Sequence, residues 1–337
     1  MPLVRVVILN WNGRETLARF LPSVVASLPG WADVVVADNG STDDSCAFVE
    51  REFPSVRLLR LERNYGFAGG YNRALEQLEG DYFVMLNSDV ETPAGWLEPL
   101  IGTLERHPET AAVAPKLRSV TDPARFEYAG AAGGYIDWLG YPFCRGRILK
   151  RIERDEGQYD DEREVFWVSG AAFCCRASAF REAGGFDEAF FAHMEEIDLC
   201  WRLQLRGWTL RIVPRSTVYH LGGATLAVDS PRKIYLNHRN NLRMLYKCAA
   251  PGQRFAAAVL RPLLDALAAL SYLVQGHGRA FLAVFCAWGD FLKAHPALKA
   301  ERRAVQAAAV KRPAGIYRGS ILLCFLAGRR TFGRILS

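Results

Sequence analysis

The run YFVMLNSD, residues 82–89, decides how the rest of the chain is read. Five apolar or aromatic residues (Tyr82, Phe83, Val84, Met85, Leu86) are followed without transition by Asn87, Ser88 and Asp89. A short continuous apolar run bounded by turn residues is expected of a strand buried on both faces. In an open α/β sheet, ligands gather beyond the carboxyl ends of the strands, so Asp89 is placed to meet a metal ion or a phosphate. The same residues also suit a simple turn, with Ser88 and Asp89 capping the way into Thr92-Pro93. On this stretch alone both readings stand.

Working outward, residues 4–9 (VRVVIL) predict a first strand, closed by the turn Asn10-Trp11-Asn12-Gly13. Residues 15–27 have the spacing of an amphipathic helix. Residues 34–37 predict a second strand ending in Asp38-Asn39-Gly40-Ser41, and residues 56–61 a third. NYGFAGGYNRA, residues 64–74, is a glycine-rich loop leading into a helix. Alternation at this spacing predicts a mostly parallel sheet with right-handed crossovers. The strand ends would then converge on one rim, offering a base-sized pocket and backbone N–H groups for phosphate. GxxxxGK[ST] is absent, and NWNGRE follows the first strand where a dinucleotide fold needs GxGxxG.

Further along, residues 110–115 predict another strand. Residues 122–164, aromatic and glycine-rich without clear period, read as a flexible lid or acceptor loop. Residues 165–176 predict a strand, a Ser-Gly turn and a second strand; residues 210–213 and 217–219 predict a final strand pair ending at His220. Between them Glu195, Glu196 and Asp198 crowd into four positions among apolar neighbours. Crowding and burial both raise carboxyl pKa values, which suits a general base. The alternative is a solvated acidic helix start, favoured by the helix dipole and paired with Arg202 and Arg206.

Taken in order, VVILNWNG (6–13), VVVADNGSTDDS (34–45), NYGFAGGYN (64–72), FVMLNSD (83–89), SGAAF (169–173), FFAHMEEIDLCWRLQLRGW (190–208) and VYHLGG (218–223) resemble the inverting family 2 glycosyltransferases of GT-A fold, particularly their bacterial rhamnosyltransferase-like branch. The resemblance implies an α/β GT-A domain over residues 1–245; the charge and apolar pattern of residues 246–337 predict a basic, partly amphipathic helical extension. It implies that Asp38 contacts the base or ribose of a nucleotide-diphosphate sugar, dTDP-rhamnose-like or UDP-hexose. Asn10, Asn12, Asn64, Gly69, Asn72 and Ser88 would line that donor. Asp89 would bind Mg²⁺ or Mn²⁺ on the donor diphosphate, with His220 completing the shell. The family pattern has a further acid or Asn-Pro before this Asp; here Asn87-Ser88 leaves Asp89 as the only acid. Glu196 is the implied catalytic base, with Glu195 as its alternative. The acceptor would be a lipid-linked glycan of cell-surface polysaccharide synthesis.

Composition is globular, half hydrophobic and 23% charged. Eight cysteines without a CxxC pair read as reduced thiols of a cytoplasmic protein, and direct entry into a strand-like run predicts that there is no signal peptide. From Lys247 onward fourteen Lys or Arg face three acids, so the net +6 is concentrated in the tail. Apolar stretches at 255–274, 281–292 and 321–326 predict amphipathic helices on an anionic membrane surface, at the inner face of the cell membrane. The other fate for them is packing on the enzyme or on a second copy, as a homodimer. Nucleic acid is not an expected partner, because the cations lie among aliphatic residues and no recognition motif occurs. Two rival functions share the fold: a polyprenyl-phosphate sugar synthase, and a non-catalytic membrane-surface scaffold with a degenerate transferase domain.

Overall fold

A computed structural model describes residues 2–222 and 230–336. The main sheet contains β1 (Val4–Asn10), β2 (Ala32–Asp38), β3 (Arg57–Arg60), β4 (Tyr82–Asn87), β5 (Val90–Glu91) and β6 (Thr110–Ser119). A small second sheet follows, made of β7 (Gly134–Asp137), β8 (Pro142–Cys144), β9 (Arg147–Ile148) and β10 (Arg151–Ile152). β11 (Arg163–Glu164), β12 (Ala172–Arg176) and β13 (Thr209–His220) return to the main sheet, and β14 (Ile316–Tyr317) joins the small one. The main order is β11-β13-β6-β12-β4-β1-β2-β3, with β5 pairing β13. β3, β2, β1 and β4 are mutually parallel, while β12 runs antiparallel between β4 and β6.

β4 is the central buried strand its sequence predicts. Phe83 and Met85 enter one core beneath α3 (Gly66–Glu76), and Tyr82, Val84 and Leu86 enter the other beneath α1 (Arg14–Ser27) and α4 (Glu98–Arg106). Side chains that alternate between two filled cores leave neither face for water, which is why the run shows no polar period. The chain reverses its direction of winding between β1 and β4, so the crevice beyond Asn10 and Asn87 is the topological switch point where ligands of such sheets sit.

Three expectations change. Residues 122–164 are no lid: they form β7 to β10, and their Phe126, Ile136, Phe143 and Ile148 are buried in the first core. Strands of two to four residues are too short to display period 2, and β14, which pairs with β7, comes from the far end of the chain. Residues 165–176 are no hairpin. β11 lies at the edge beside β13, whereas β12 is inserted between β6 and β4, so residues 165–171 cross between them and bridge to Gly134 through Trp167 instead of pairing with β12. Residues 210–213 and 217–219 belong to one strand, β13. Its register against β6 jumps from Val213–Pro115 to Thr217–Lys116, so residues 214–216 bulge out around Pro214, which has no N–H to contribute.

Helix α2 (Ser45–Glu52) lies between β2 and β3 in the chain, α5 (Ala177–Glu182) and α6 (Glu195–Leu205) lie between β12 and β13, and α7 (Pro231–Cys248), α8 (Pro251–Val274) and α9 (Gly278–Ala307) follow. Short helices α10 (Ile321–Leu326) and α11 (Gly333–Leu336) end the described residues.

The small sheet is fastened at Gly134, where an added Cβ would lie 2.1 Å from the Trp167 ring. That ring is buried and its Nε1 donates to Tyr135 O at 3.0 Å, so it has no room to yield. Gly134→Ala is expected to destabilise the protein by about 1–3 kcal/mol, the usual cost of overpacking, read as a lowered urea midpoint.

Candidate active site

Three turns meet beyond the carboxyl ends of β1 and β2. Asn10 faces Asp38 in register, and its Nδ2 donates to Asp38 Oδ1 at 3.1 Å and to Ser41 Oγ at 3.2 Å. Asp38 Oδ2 accepts from Ser41 N at 2.9 Å, and Asn12 Oδ1 accepts from Thr42 N at 2.7 Å. Asn39 carries the network onward: its Oδ1 accepts from Tyr65 N at 3.0 Å and its Nδ2 donates to Asn64 Oδ1 at 3.2 Å. The structure therefore brings Asn10, Asn12, Asp38 and Asn64 together. Gly69 and Asn72 stand apart from this group. Asn72 exchanges hydrogen bonds of 2.9 Å with the main chain of Phe186, and Gly69 faces Arg73 and Glu188.

The helix start at α3 does not offer free amides to a phosphate. Gly66 N donates to Asn64 Oδ1 at 2.8 Å, while Phe67 N and Ala68 N both donate to Phe191 O, at 2.6 and 3.2 Å. A glycine is required here because its φ is +74° and a Cβ would lie 2.5 Å from that same carbonyl. The glycine-rich loop thus seats the 191 segment, which is the chain approaching α6.

Beyond β4, Asp89 is buried and its Oδ1 lies 3.0 Å from His220 Nε2. The contact follows from pairing: His220, at the end of β13, is opposite Val90 of β5. Burial pushes the Asp89 carboxyl up, but the hydrogen bond and charge of His220 outweigh it and hold the pKa below the usual carboxylate range. Burial likewise disfavours the imidazolium, yet Asp89 and Glu127 together raise His220 to about 10. Glu127 Oε2 is 3.2 Å from His220 Nδ1. A carboxylate behind the second nitrogen is the arrangement that orients a metal-binding imidazole. Ser88, half-buried, links Asn87 to Asp89. Gly223 of the late His-Leu-Gly-Gly run lies outside the described residues.

Glu195 and Glu196 open α6, against the same end of the sheet. Asn87 N donates to Ala171 O at 3.0 Å, and the adjoining Gly170 would present a Cβ 3.6 Å from Glu196 Cβ. Oε2 of Glu195 and Oε2 of Glu196 are both buried without a hydrogen-bond partner, as is His193 Nε2. Buried polar atoms are almost always paired, so three together mark a place built for something else. Burial raises both carboxyls: Glu196 is pushed up to about 7, and Glu195, with the charge of Glu196 also against it, goes well above its ordinary value. Asp198 is different. Burial opposes its charge too, but Lys247 Nζ at 3.0 Å and Arg202 Nε at 2.7 Å keep it ionised.

Comparison with known proteins identifies the family of the chain. Residues 5–182 match the model of glycosyl transferase family 2, and residues 154–286 match glycosyl transferase family group 2. The chain belongs to glycosyltransferase family 2. The N-acetylglucosaminyl-diphospho-decaprenol L-rhamnosyltransferase of Mycobacterium tuberculosis is 32% identical over 250 residues, covering 70% of this chain and 81% of that protein. Among solved structures, GalNAc-T7 with UDP, GalNAc and Mn²⁺ aligns with a TM-score of 0.60 at 19% identity, over 78% of this chain and 51% of that one. The mannosyltransferase of Pyrobaculum calidifontis in complex with GDP-Man and Mn²⁺ aligns at 0.51 and 16%, over 91% and 84%. These neighbours share the GT-A fold, and the chain is a glycosyl transfer enzyme.

In this family 2 enzyme the segment before α6 is strained. Phe191, His193 and Met194 take φ values of 64°, 70° and 72°, each costing roughly 1–3 kcal/mol in a non-glycine residue. Two adjacent side chains of α7 hold it. Asn240, fully buried in α7, donates through Nδ2 to Phe190 O at 3.0 Å, Ala192 O at 2.9 Å and His193 O at 2.7 Å. Arg239 Nη2 adds Ala189 O at 2.8 Å and Phe190 O at 3.1 Å. Sequence reasoning missed Asn39, Glu127, His193, Arg239 and Asn240. For Asn240 a signal existed: consecutive Asn residues in the middle of a helix run against propensity and imply buried polar work. Glu127 had none.

Asn240→Ala takes this donor from Ala192 O and His193 O, while Phe190 O keeps Arg239, and is expected to cost about 2–4 kcal/mol of stability, since each buried unpaired group costs about 1–3. The relaxed segment also admits water to Glu196, so the midpoint of the pH–rate profile for transfer is expected to move downward.

Proposed function

We propose that the enzyme is a metal-dependent inverting transferase that moves a sugar from a nucleoside-diphosphate donor to a hydroxyl of a lipid-linked glycan. The name of the mycobacterial relative, at 32% identity, favours an L-rhamnosyl donor and a polyprenyl-diphosphate N-acetylglucosamine acceptor over a UDP-hexose pair. One observation carries the reading: a raised carboxyl at Glu196, with its Oε2 unpartnered, shares a strand end with the buried Asp89–His220 pair.

The donor set suits a hard or borderline divalent cation, Mg²⁺ or Mn²⁺. Asp89 offers a carboxylate oxygen and His220, once it has given up its extra proton, an imidazole nitrogen; no group of three or more His, Cys, Asp or Glu placed to hold a metal ion occurs among the described residues. Two protein ligands leave positions for diphosphate oxygens and water, the usual division for nucleotide enzymes. When bound, such a cation neutralises charge building on the leaving diphosphate. Glu127 holds the His220 ring in orientation from behind.

The protein's own residues account for the other half of the reaction. Glu196 takes the proton of the acceptor hydroxyl as its oxygen bonds to the anomeric carbon. The bond from that carbon to the diphosphate breaks with its electron pair, in one displacement that inverts the centre. A base poised near neutrality combines an available ionised form with appreciable proton affinity. A phosphate acceptor is already ionised and needs no such base, so the raised Glu196 favours a hydroxyl acceptor over a lipid phosphate. Asp38 and the Asn10, Asn12 and Asn64 turns are assigned to the nucleoside, next to Ser88 and Asp89 at the diphosphate.

Glu196→Gln is expected to lower acceptor-dependent transfer by about 10²–10⁴, the usual contribution of a general base, with donor affinity unchanged in calorimetry. Asp89→Ala is expected to abolish Mn²⁺-dependent binding of nucleoside diphosphate in the same measurement. Full transfer in both variants overturns the assignment, and undiminished transfer in Glu196→Gln alone favours a phosphate acceptor. Because Glu196 acts ionised and its pKa is raised to about 7, kcat/KM for the acceptor should climb with pH and level off above that value.

A further inference from the structure

Helix α8 is turned inside out. Its inward face carries Gln253, Ala257, Arg261, Asp265 and Ala269, all buried. Between Phe255 and Val274 its exposed positions are apolar but for Ser271. Phe255 is 73% exposed, Leu263 64%, Leu267 62% and Val274 81%. Leu282 and Phe285, at the start of α9, are also exposed. A helix facing water buries its leucines and exposes its charges, so this pattern requires a different neighbour.

The reversal is fixed by the enzyme body. Arg261 Nη1 donates to Leu139 O at 3.0 Å and also reaches Asn241 Oδ1. Asp265 pairs with Arg261, accepts from Trp288 Nε1 at 3.0 Å and lies 3.4 Å from His238 Nδ1. Rolling α8 to hide its leucines would tear these buried charges from their partners.

We propose that the outward face of α8, extended by the start of α9, seats the enzyme in the interface of an anionic lipid bilayer. This extends the reading of a lipid-linked acceptor and rests on it only for why a bilayer is nearby. By length and composition α8 is apolar enough to cross a membrane, with a mean hydropathy of 1.6 over its best window. It does not span here, because its polar side is committed to protein, whereas lipid would surround a single span. One apolar face and one polar face describe a helix lying in the interface plane. Charge selects the occupant. With the buried Lys247, Arg261 and Asp265 set aside, twelve cations against two acids in this tail would repel a second copy presenting the same surface, and they complement anionic head groups. Exposed Arg254 and Arg279 stand at the two ends of the apolar run.

The test is flotation of the full chain with phosphatidylglycerol–phosphatidylcholine vesicles and with phosphatidylcholine alone, beside its sedimentation without lipid. Flotation is expected with the anionic vesicles and is expected to weaken with salt. The variant carrying Leu263→Glu and Leu267→Glu is expected to bind at least about tenfold more weakly, since it places charge in the seated face. A fluorophore on Leu270→Cys is expected to shift to the blue with vesicles. No flotation of the wild type, or equal flotation of the double variant, overturns the proposal. So does a lipid-free dimer that the double variant dissociates, which would assign the face to a second copy. Donor hydrolysis is measured on the same samples: its loss in the wild type would sink the transferase reading while leaving the flotation result to decide the surface.

Discussion

Asp198 is the point through which the active-site end of the molecule is tied together. Wholly buried, it holds Arg202 within α6 and Lys247 at the end of α7. Lys247 also pairs with Asp187, and Arg202 donates to Ala183 O at 2.6 Å and Gly185 O at 2.8 Å. One carboxylate thus joins α6, α7 and the chain leading to the strained 191–194 segment. Buried pairs of this kind gain little over an apolar substitute, but removing one partner leaves a stranded charge and typically costs about 3–5 kcal/mol. Their value here is geometric: they fix which way α6 faces.

That orientation sorts three neighbouring carboxylates into two kinds. Asp198 points at cations and is ionised. Glu195 and Glu196, at most three residues earlier in the chain, point away from the cations and keep partnerless oxygens. The acidic cluster is therefore neither a solvated helix start nor a group of three equivalents. Proximity in sequence set the charges side by side, and helical geometry separated their fates, because Arg202 lies one turn from Asp198 on the same face.

The strand ends were legible because their chemistry is local. The apolar run to Leu86, the turn after Asp38 and the run to Asn10 each announce a buried parallel strand and its end within ten residues. The resemblance then supplied roles for Asp89, Glu196 and His220, and the structure brings them to one end of the sheet. What stayed hidden was non-local. Glu127 meets His220 across a fold that spacing does not reveal, and β14 completes a sheet begun near Gly134. The apolar stretch of α8 already reads in sequence as an amphipathic membrane-surface helix, but the sequence does not say which of its faces is turned outward. Only the buried partners of Arg261 and Asp265 show which face is inside.

The two ends of this arrangement balance each other. A strained loop, two carboxyls with a partnerless oxygen each and a neutral His193, held at about pKa 4 by burial and by Lys233, are all unfavourable to folding. Their cost is offset from α7, whose Asn240, Arg239 and Lys247 grip the same segment from behind. α7 is in turn backed by α9, through Arg302 and Gln306 donating to carbonyls at its carboxyl end. The helices after β13 thus buttress the site as well as carry the exposed apolar face. Removing them to obtain a more soluble catalytic core would loosen the segment that presents Glu196.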